Sequence, residues 1–390
     1  MEQYQYITSE SVTEGHPDKL CDQVADAILD EYLKSDPQSH VAIEVMVSSG
    51  MLVIAGEIRS RAKADFDKIA RGVIRDIGYV EHNRGFDADT CRIIANVHEQ
   101  SPDISRGVVK ETAGGKKIGG AGDQGIMYGY ADGETPGMMP LPIQTAHRLA
   151  MQITCVRKVG HADFLYPDGK TQVTFCYDEK GNPRYIRSIV VSAQHSQRIS
   201  YDLLSSFIKK TVIDPVVDRK WLRDETKIHI NPTGRFVIGG PAADTGLTGR
   251  KIMVDSYGTV GRHGGGAFSG KDPTKIDRSG AYMARYVAKN IVGAKLASKC
   301  EVSLAYVIGS SEPEAVEINT FGTGTIPDTE IRQYVNDVFS FSVEDIIETL
   351  QLRKPQYLKT AAYGHFGRED QGFAWEKTDK VWLLKQLASQ

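Results

Sequence analysis

The chain has 390 residues, 41% of them hydrophobic and 25% charged, with 38 glycines and a formal net charge of -3. That length exceeds one ordinary core, so two or three domains of roughly 100–150 residues are expected, and the charge argues against nonspecific nucleic-acid or membrane binding. No apolar run reaches the roughly 18–20 residues of a membrane span, MEQYQYITSE lacks a signal-peptide pattern, and five scattered cysteines contain no C-x-x-C pair, so a cytoplasmic protein without a zinc or disulfide framework is expected.

In chain order, a short strand near Tyr4–Thr8 leads to a helix from Pro17, where Leu20, Val24, Ile28 and Tyr32 recur every four residues. Val41–Ser48 and Leu52–Ile58 read as strands around the turn Ser49-Gly50. A helix over Lys63–Ile77 and a strand over Arg92–His98 close the unit as β-α-β-β-α-β. The middle third repeats the order: strand Ile126–Tyr130, helix Leu141–Arg157, hairpin Gln172–Tyr177 and Ile186–Val191, helix Tyr201–Val212, strand Lys227–Ile230. The last third offers a strand over Lys251–Asp255, a helix over Ser279–Leu296, a hairpin over Val302–Ile308 and Ala315–Phe321, and a helix over Asp328–Phe339. The fold class expected is α+β: three similar β-α-β-β-α-β units whose sheets are packed by helices. Their bounds are 4–102, 123–233 and 234–390, the last including a tail. A mobile Gly-rich loop with a lid-like role is expected over 103–122, within Glu99–Gly125, which holds seven glycines.

HGGGAFSGKDPTKIDRS, His263 to Ser279, has the G-x-x-x-x-G-K spacing of a phosphate loop, but Asp272 stands where a Ser or Thr should hold magnesium. The preceding strand ends too early as well, so a P-loop is rejected. A glycine-rich backbone ahead of a helix can still expose N–H groups to an anion, with Lys271 and Lys275 adding charge. Asp277 reads as a helix cap or as a metal ligand. EGHPDKL (Glu14–Leu20) sets His16, Asp18 and Lys19 at another helix start, where capping and dipole complementation are the plain alternative. GGAGDQG (Gly119–Gly125) and INPTGRFVIGGPAADTGLTGRK (Ile230–Lys251) are two more glycine loops with charges. Glu44 and Glu57 lie on the predicted hairpin, either as a solvated face or as ligands. Bases and acids among glycines suit a metal-bound polyphosphate, so the residues by themselves point to a magnesium-dependent enzyme acting on a nucleotide polyphosphate.

These stretches resemble the S-adenosylmethionine synthetase (methionine adenosyltransferase) family. GAGDQG (Gly120–Gly125) and GGGAFSGKD (Gly264–Asp272) look like its two signatures. SESVTEGHPDK (Ser9–Lys19), INPTGRFVIGGP (Ile230–Pro241) and AAYGHFGRED (Ala361–Asp370) match as well. The resemblance implies three α+β domains about a pseudo-threefold. It implies attack of the methionine sulfur on C5′ of ATP, release of tripolyphosphate, and its hydrolysis to phosphate and pyrophosphate. In that reading His16 stabilises the departing oxygen, and Asp18 and Asp277 hold two magnesium ions per site. Glu44 binds one potassium, and Glu57, Gln100, Asp244 and Lys275 receive methionine. Lys170, Arg250, Lys251 and Lys271 grip the phosphates, Arg250 directing tripolyphosphate cleavage. Phe236 stacks on adenine beside Arg235, and Asp168, Gly169, Ala267 and Asp244 complete the ATP contacts, with Asp123 lining the site. The partners implied are ATP, L-methionine and a second copy of the chain. Sites lie at the interface of a homodimer, and dimers pair into a homotetramer. The competing reading is a nucleotide-binding regulatory relative without catalysis. A decayed site should lack some of His16, Asp18, Lys170, Arg250, Lys271 and Asp277, and all six are present.

Overall fold

The computed structural model describes residues 4–82, 84–99, 109–111 and 117–389. Pro17 opens a 19-residue helix, Pro17–Ser35, because its fixed φ suits the first turn and its missing N–H is not needed there. Leu20, Val24 and Ile28 are fully buried on one stripe, each worth about 1.5–3 kcal/mol relative to exposure. That stripe packs on Val41, Ile43, Val45 and Val47, which alternate inward along strand β2 (His40–Ser48). β2 pairs antiparallel with β3 (Met51–Arg59), and β3 parallel with β4 (Arg92–Glu99) across the helix Phe66–Ile77.

The remaining strands complete three main sheets. A small hairpin, β5 (Val109–Glu111) with β6 (Lys117–Gly119), forms a sheet of its own, and residues 103–108 and 112–116 of the expected lid lie outside the described residues. The middle hairpin is β8 (Leu165–Tyr177) with β9 (Pro183–His195), flanked by β10 (Lys227–Ile230). The last hairpin is β12 (Lys299–Tyr306) with β13 (Ala315–Asn319). Each sheet takes its outer antiparallel strand from another third of the chain. β1 (Gln5–Val12) joins β8, β7 (Gly125–Asp132) joins β12, and β11 (Gly246–Leu247) joins β2. The exchange runs cyclically, so the leading strand of each β-α-β-β-α-β unit completes a different unit's sheet. One core cluster is consequently shared by the first and last thirds, and a second belongs to the middle third and its long helix Leu141–Lys158.

Three sequence expectations are corrected here. Lys251–Asp255 is not a strand: Ile252–Asp255 forms a helical turn, and the strand lies earlier, at Gly246–Leu247. Gly249, at φ 74°, turns the chain between the two, and Asp255 is held inward by the Lys19 ammonium at 2.5 Å. Asp277 does not cap a helix at Ser279. The helix runs Ile276–Gly293, so Asp277 sits inside its first turn, where its charge complements the dipole and its side chain is free for other partners. The helix Tyr201–Ile208 also stops short of Val212, continuing as a wider π turn over Lys209–Ile213.

Candidate active site

The expected residues gather in two groups. The first surrounds the start of helix Pro17–Ser35. His16 is its N-cap, 3% exposed, and its Nδ1 accepts the Asp18 N–H at 3.2 Å. Burial, together with the nearby Lys251 and Lys170 charges, lowers its pKa to about 3. The ring is therefore neutral near pH 7, and with Nδ1 accepting, Nε2 carries the proton. Asp18 accepts the Leu247 N–H at 3.0 Å and the Lys251 ammonium at 2.6 Å, with Arg250 Nη1 at 3.8 Å. Burial opposes ionisation of Asp18, but the Lys251 and Leu247 hydrogen bonds prevail and hold its pKa below the usual value.

Strand β8 brings in Asp168, Gly169 and Lys170. Lys170 pairs in register with Val12, and its exposed ammonium makes no ion pair among the described residues. Asp168 is 6% exposed and accepts the Gly240 N–H at 2.8 Å, while its Oδ1 has no partner among the described residues. Burial pushes its pKa to about 6. The Gly169 carbonyl accepts the Thr13 N–H at 3.0 Å, tying this strand to the turn before His16. Phe236 is half-buried, its N–H donating to the His195 ring Nε2 at 3.1 Å and its carbonyl accepting the His195 N–H at 2.9 Å, and Arg235 beside it is exposed. Asp244 is exposed, its carboxylate accepting the Thr245 N–H at 2.9 Å.

The second group surrounds the start of helix Ile276–Gly293. Lys271 forms an antiparallel bridge with Ala42, so its side chain shares the face of β2 that carries Glu44. Its ammonium is paired with Asp277. Gly270 is obligatory here: at φ 80° a Cβ would lie 2.0 Å from the Ile43 carbonyl oxygen. Lys275 is the helix N-cap residue and bonds Asp272 at 2.8 Å. Gly122 approaches Lys275, placing the neighbouring exposed Asp123 at this end, its carboxylate turned onto the Gln124 N–H at 2.7 Å. Ala267 lies between the groups, against Gly249.

The β2–β3 register sets Glu44 opposite Ala55 and Glu57 opposite Ala42, so both carboxylates share one sheet face on a diagonal. Desolvation, with Asp22 and Glu57 adding repulsion, raises the Glu44 pKa against the pull of Lys271 and the Thr248 hydroxyl. His98 Nε2 stands 3.8 Å from Glu57. None of the residues on this face is fully buried, from Ala42 and Met46 to Asn96, whereas the opposite face is covered by helix Pro17–Ser35. Gln100 lies outside the described residues. The sequence reading passed over Asp22, Asp26, Asp255 and Arg278, all buried and charged among the loops that carry the site. The four-residue spacing of the first two on a helix was the available signal.

Fold and site together define a class: a three-sheet α+β protein whose glycine loops set cations and carboxylates side by side. The chain matches the N-terminal domain of S-adenosylmethionine synthetase over residues 4–102, the central domain over 118–236 and the C-terminal domain over 238–377. It belongs to the S-adenosylmethionine synthetase family. It is 53% identical over 386 residues to the S-adenosylmethionine synthase of Sorangium cellulosum, covering 99% of this chain and 90% of that one. It is 54% identical over 381 residues to S-adenosylmethionine synthase 1 of Rhodospirillum rubrum, covering 98% of each. S-adenosylmethionine synthase 1 of Rhodopseudomonas palustris is 53% identical over 384 residues, covering 98% of this chain and 99% of that one. No helix among the described residues is long and apolar enough to cross a membrane.

Proposed function

We propose that the protein is a methionine adenosyltransferase: the sulfur of L-methionine attacks C5′ of ATP, tripolyphosphate leaves, and water then cleaves it to phosphate and pyrophosphate. A thioether carries no proton, so the reaction needs no general base at the nucleophile. The barrier lies in the charge that gathers on the leaving chain, and preorganised donors are the main means of lowering it. The observation that carries the reading is a neutral His16, with Nε2 as its donor, set among Lys170, Lys251 and Arg250 at a helix N-terminus. His16 donates to the oxygen leaving C5′, and the three cations take the phosphates, Arg250 directing the later cleavage. Phe236 and Arg235 face the adenine, with Asp168 and Gly169 at its edge.

Magnesium fits the chemistry of the donors: Asp18 and Asp277 are hard oxygen ligands, each now paired with a lysine that phosphate oxygens would draw away. When bound, the ions would neutralise the triphosphate. Glu44 would hold potassium, whose charge offsets the repulsion from Glu57 and Asp22 that raises its pKa.

Among the described residues no ion pair joins the two groups. Lys271, Glu44 and Glu57 lie on the uncovered face of the β2–β3 sheet, while Asp18 belongs to the helix on the covered face. A second copy seated on the open face would bring its own His16 group to Lys271, Asp277, Glu57 and Asp244 or Lys275, the methionine end. A dimer therefore holds two composite sites, and dimers pair into tetramers.

The protein incubated with ATP, L-methionine, Mg²⁺ and K⁺ is expected to yield S-adenosylmethionine, phosphate and pyrophosphate. Phosphate from ATP alone, without the sulfonium, would assign a different transfer reaction. Mixing His16→Asn with Lys271→Met chains, each inactive alone, tests the composite site. Random dimers should recover about a quarter of the wild-type rate, because only the heterodimer holds one intact site. No recovery would place both residues in one chain's site.

A further inference from the structure

The helix Pro17–Ser35 carries aspartates at 18, 22, 26 and 30, one every four residues. That interval sets them along one stripe, about 6 Å apart in rise. They accept backbone N–H groups from three downstream segments, the first two aspartates sharing one. Asp18 takes Leu247 at 3.0 Å, Asp22 takes Gly249 at 2.9 Å, and Asp26 takes Gly270 at 2.9 Å. Asp30 takes Tyr357 and Leu358, both at 2.9 Å. Gly249 immediately precedes Arg250 and Lys251, and Gly270 immediately precedes Lys271.

The two middle rungs are fully buried and charge-paired. Asp22 bonds the Lys19 ammonium at 2.8 Å, and Lys19 reaches on to Asp255. Both oxygens of Asp26 accept Arg278 Nη2, at 2.9 and 2.7 Å, while Arg278 Nη1 donates to the Lys271 carbonyl at 3.0 Å. Arg278 also follows Asp277 directly. A buried ion pair is weak evidence for stability, since apolar residues of like volume often serve as well, and its best-attested use is to fix register. Here both pairs grip the residues next to the phosphate-binding cations. One rigid helix thus measures the separation of the His16 group from the Lys271 group.

We propose that Asp22 and Asp26 are positioning residues for the reaction: Asp22 sets Arg250–Lys251 beside this chain's own His16 and Asp18, and Asp26 holds Lys271–Asp277 in place for the site that the partner's His16 completes. The inference rests on the function proposed above. Full-length Asp22→Asn, Asp26→Asn and, as the control rung, Asp30→Asn are assayed well below their thermal midpoints. For the middle rungs kcat should fall about 10- to 100-fold with KM for ATP within about threefold, the signature of misplaced transition-state contacts. Asp30→Asn should keep kcat within about twofold even where its midpoint falls, because Asp30 holds backbone N–H groups and reaches Arg278 only through the Tyr357 ring, whose centroid is 4.4 Å from the guanidinium carbon. If Asp26→Asn does not fold, Asp26→Leu with Arg278→Met leaves no ion unpaired and should fold with the same loss of kcat. A crystal structure of the folded Asp26 variant should show Lys271 displaced. Wild-type-like kcat in a folded middle-rung variant, an equal loss in Asp30→Asn, or an unmoved Lys271 overturns the proposal. A wild type that forms no S-adenosylmethionine refutes the reaction alone, and the position of Lys271 still decides the rungs.

Discussion

His16→Asn tests the proposed leaving-group donor apart from the architecture around it. In the wild type His16 does two things: its Nδ1 caps the helix through the Asp18 N–H, and its Nε2 is left as a donor. Asparagine is among the best N-cap residues, so it retains the first role, whereas alanine would lose about 1 kcal/mol of stability with it. The second role is lost outright in alanine, and in asparagine the Nδ2 donor sits on a shorter side chain that does not reach the position of His16 Nε2. Removing one preorganised donor costs about 10²–10³ in kcat, or about 2.7–4 kcal/mol of transition-state stabilisation. Single-turnover formation of S-adenosylmethionine from the preformed ATP–methionine complex should slow by that factor in His16→Asn, with thermal stability kept within about 1 kcal/mol. The pH dependence sharpens the test. With its pKa at about 3, His16 stays neutral from pH 5 to 8, so the ratio of wild-type to variant rates should not change with pH across that range. A variant within about threefold of wild type, or a ratio that rises as pH falls through about 6.5, would refute the neutral-donor argument.

Asp168→Asn should raise stability more at high pH than at low. Burial raises the folded pKa of Asp168 to about 6, above its unfolded value, so wild-type stability falls as pH rises between those values. Asparagine can still accept the Gly240 N–H without that charge, and its advantage at pH 8 should exceed that at pH 4.5 by about 2 kcal/mol, read from urea midpoints. No difference between the two pH values would mean that Asp168 titrates normally. Arg250→Leu should slow tripolyphosphate hydrolysis more than sulfonium formation in a single-turnover assay, since its exposed guanidinium is only loosely held by Asp18, at 3.8 Å, and is free to follow the phosphates. Equal losses in the two steps would contradict that division of labour.

The residues alone were enough for most local elements, though not for Lys251–Asp255, read as a strand and found as a helical turn. Leu20, Val24 and Ile28 at four-residue intervals could only be buried together on a helix, and the alternation along β2 left Glu44 on the face opposite Val45. Glycine-rich stretches carrying Lys271 and Arg250, with Asp18 at a helix start, pointed to a polyphosphate ligand, because few other ligands need acids and bases among flexible backbone. What local pattern could not specify was partnership. Whether β1 pairs with β3's sheet or with β8 depends on side-chain packing hundreds of residues away, and only the folded chain reveals that each unit lends its first strand to another. The same holds for Asp22 and Asp26: four-residue spacing makes a stripe, but a stripe of aspartates in sequence reads as a solvated face. Burial against Lys19 and Arg278 turns it into a ruler, since a carboxylate taken out of water must find its donors, and here those donors are the loops that build the site.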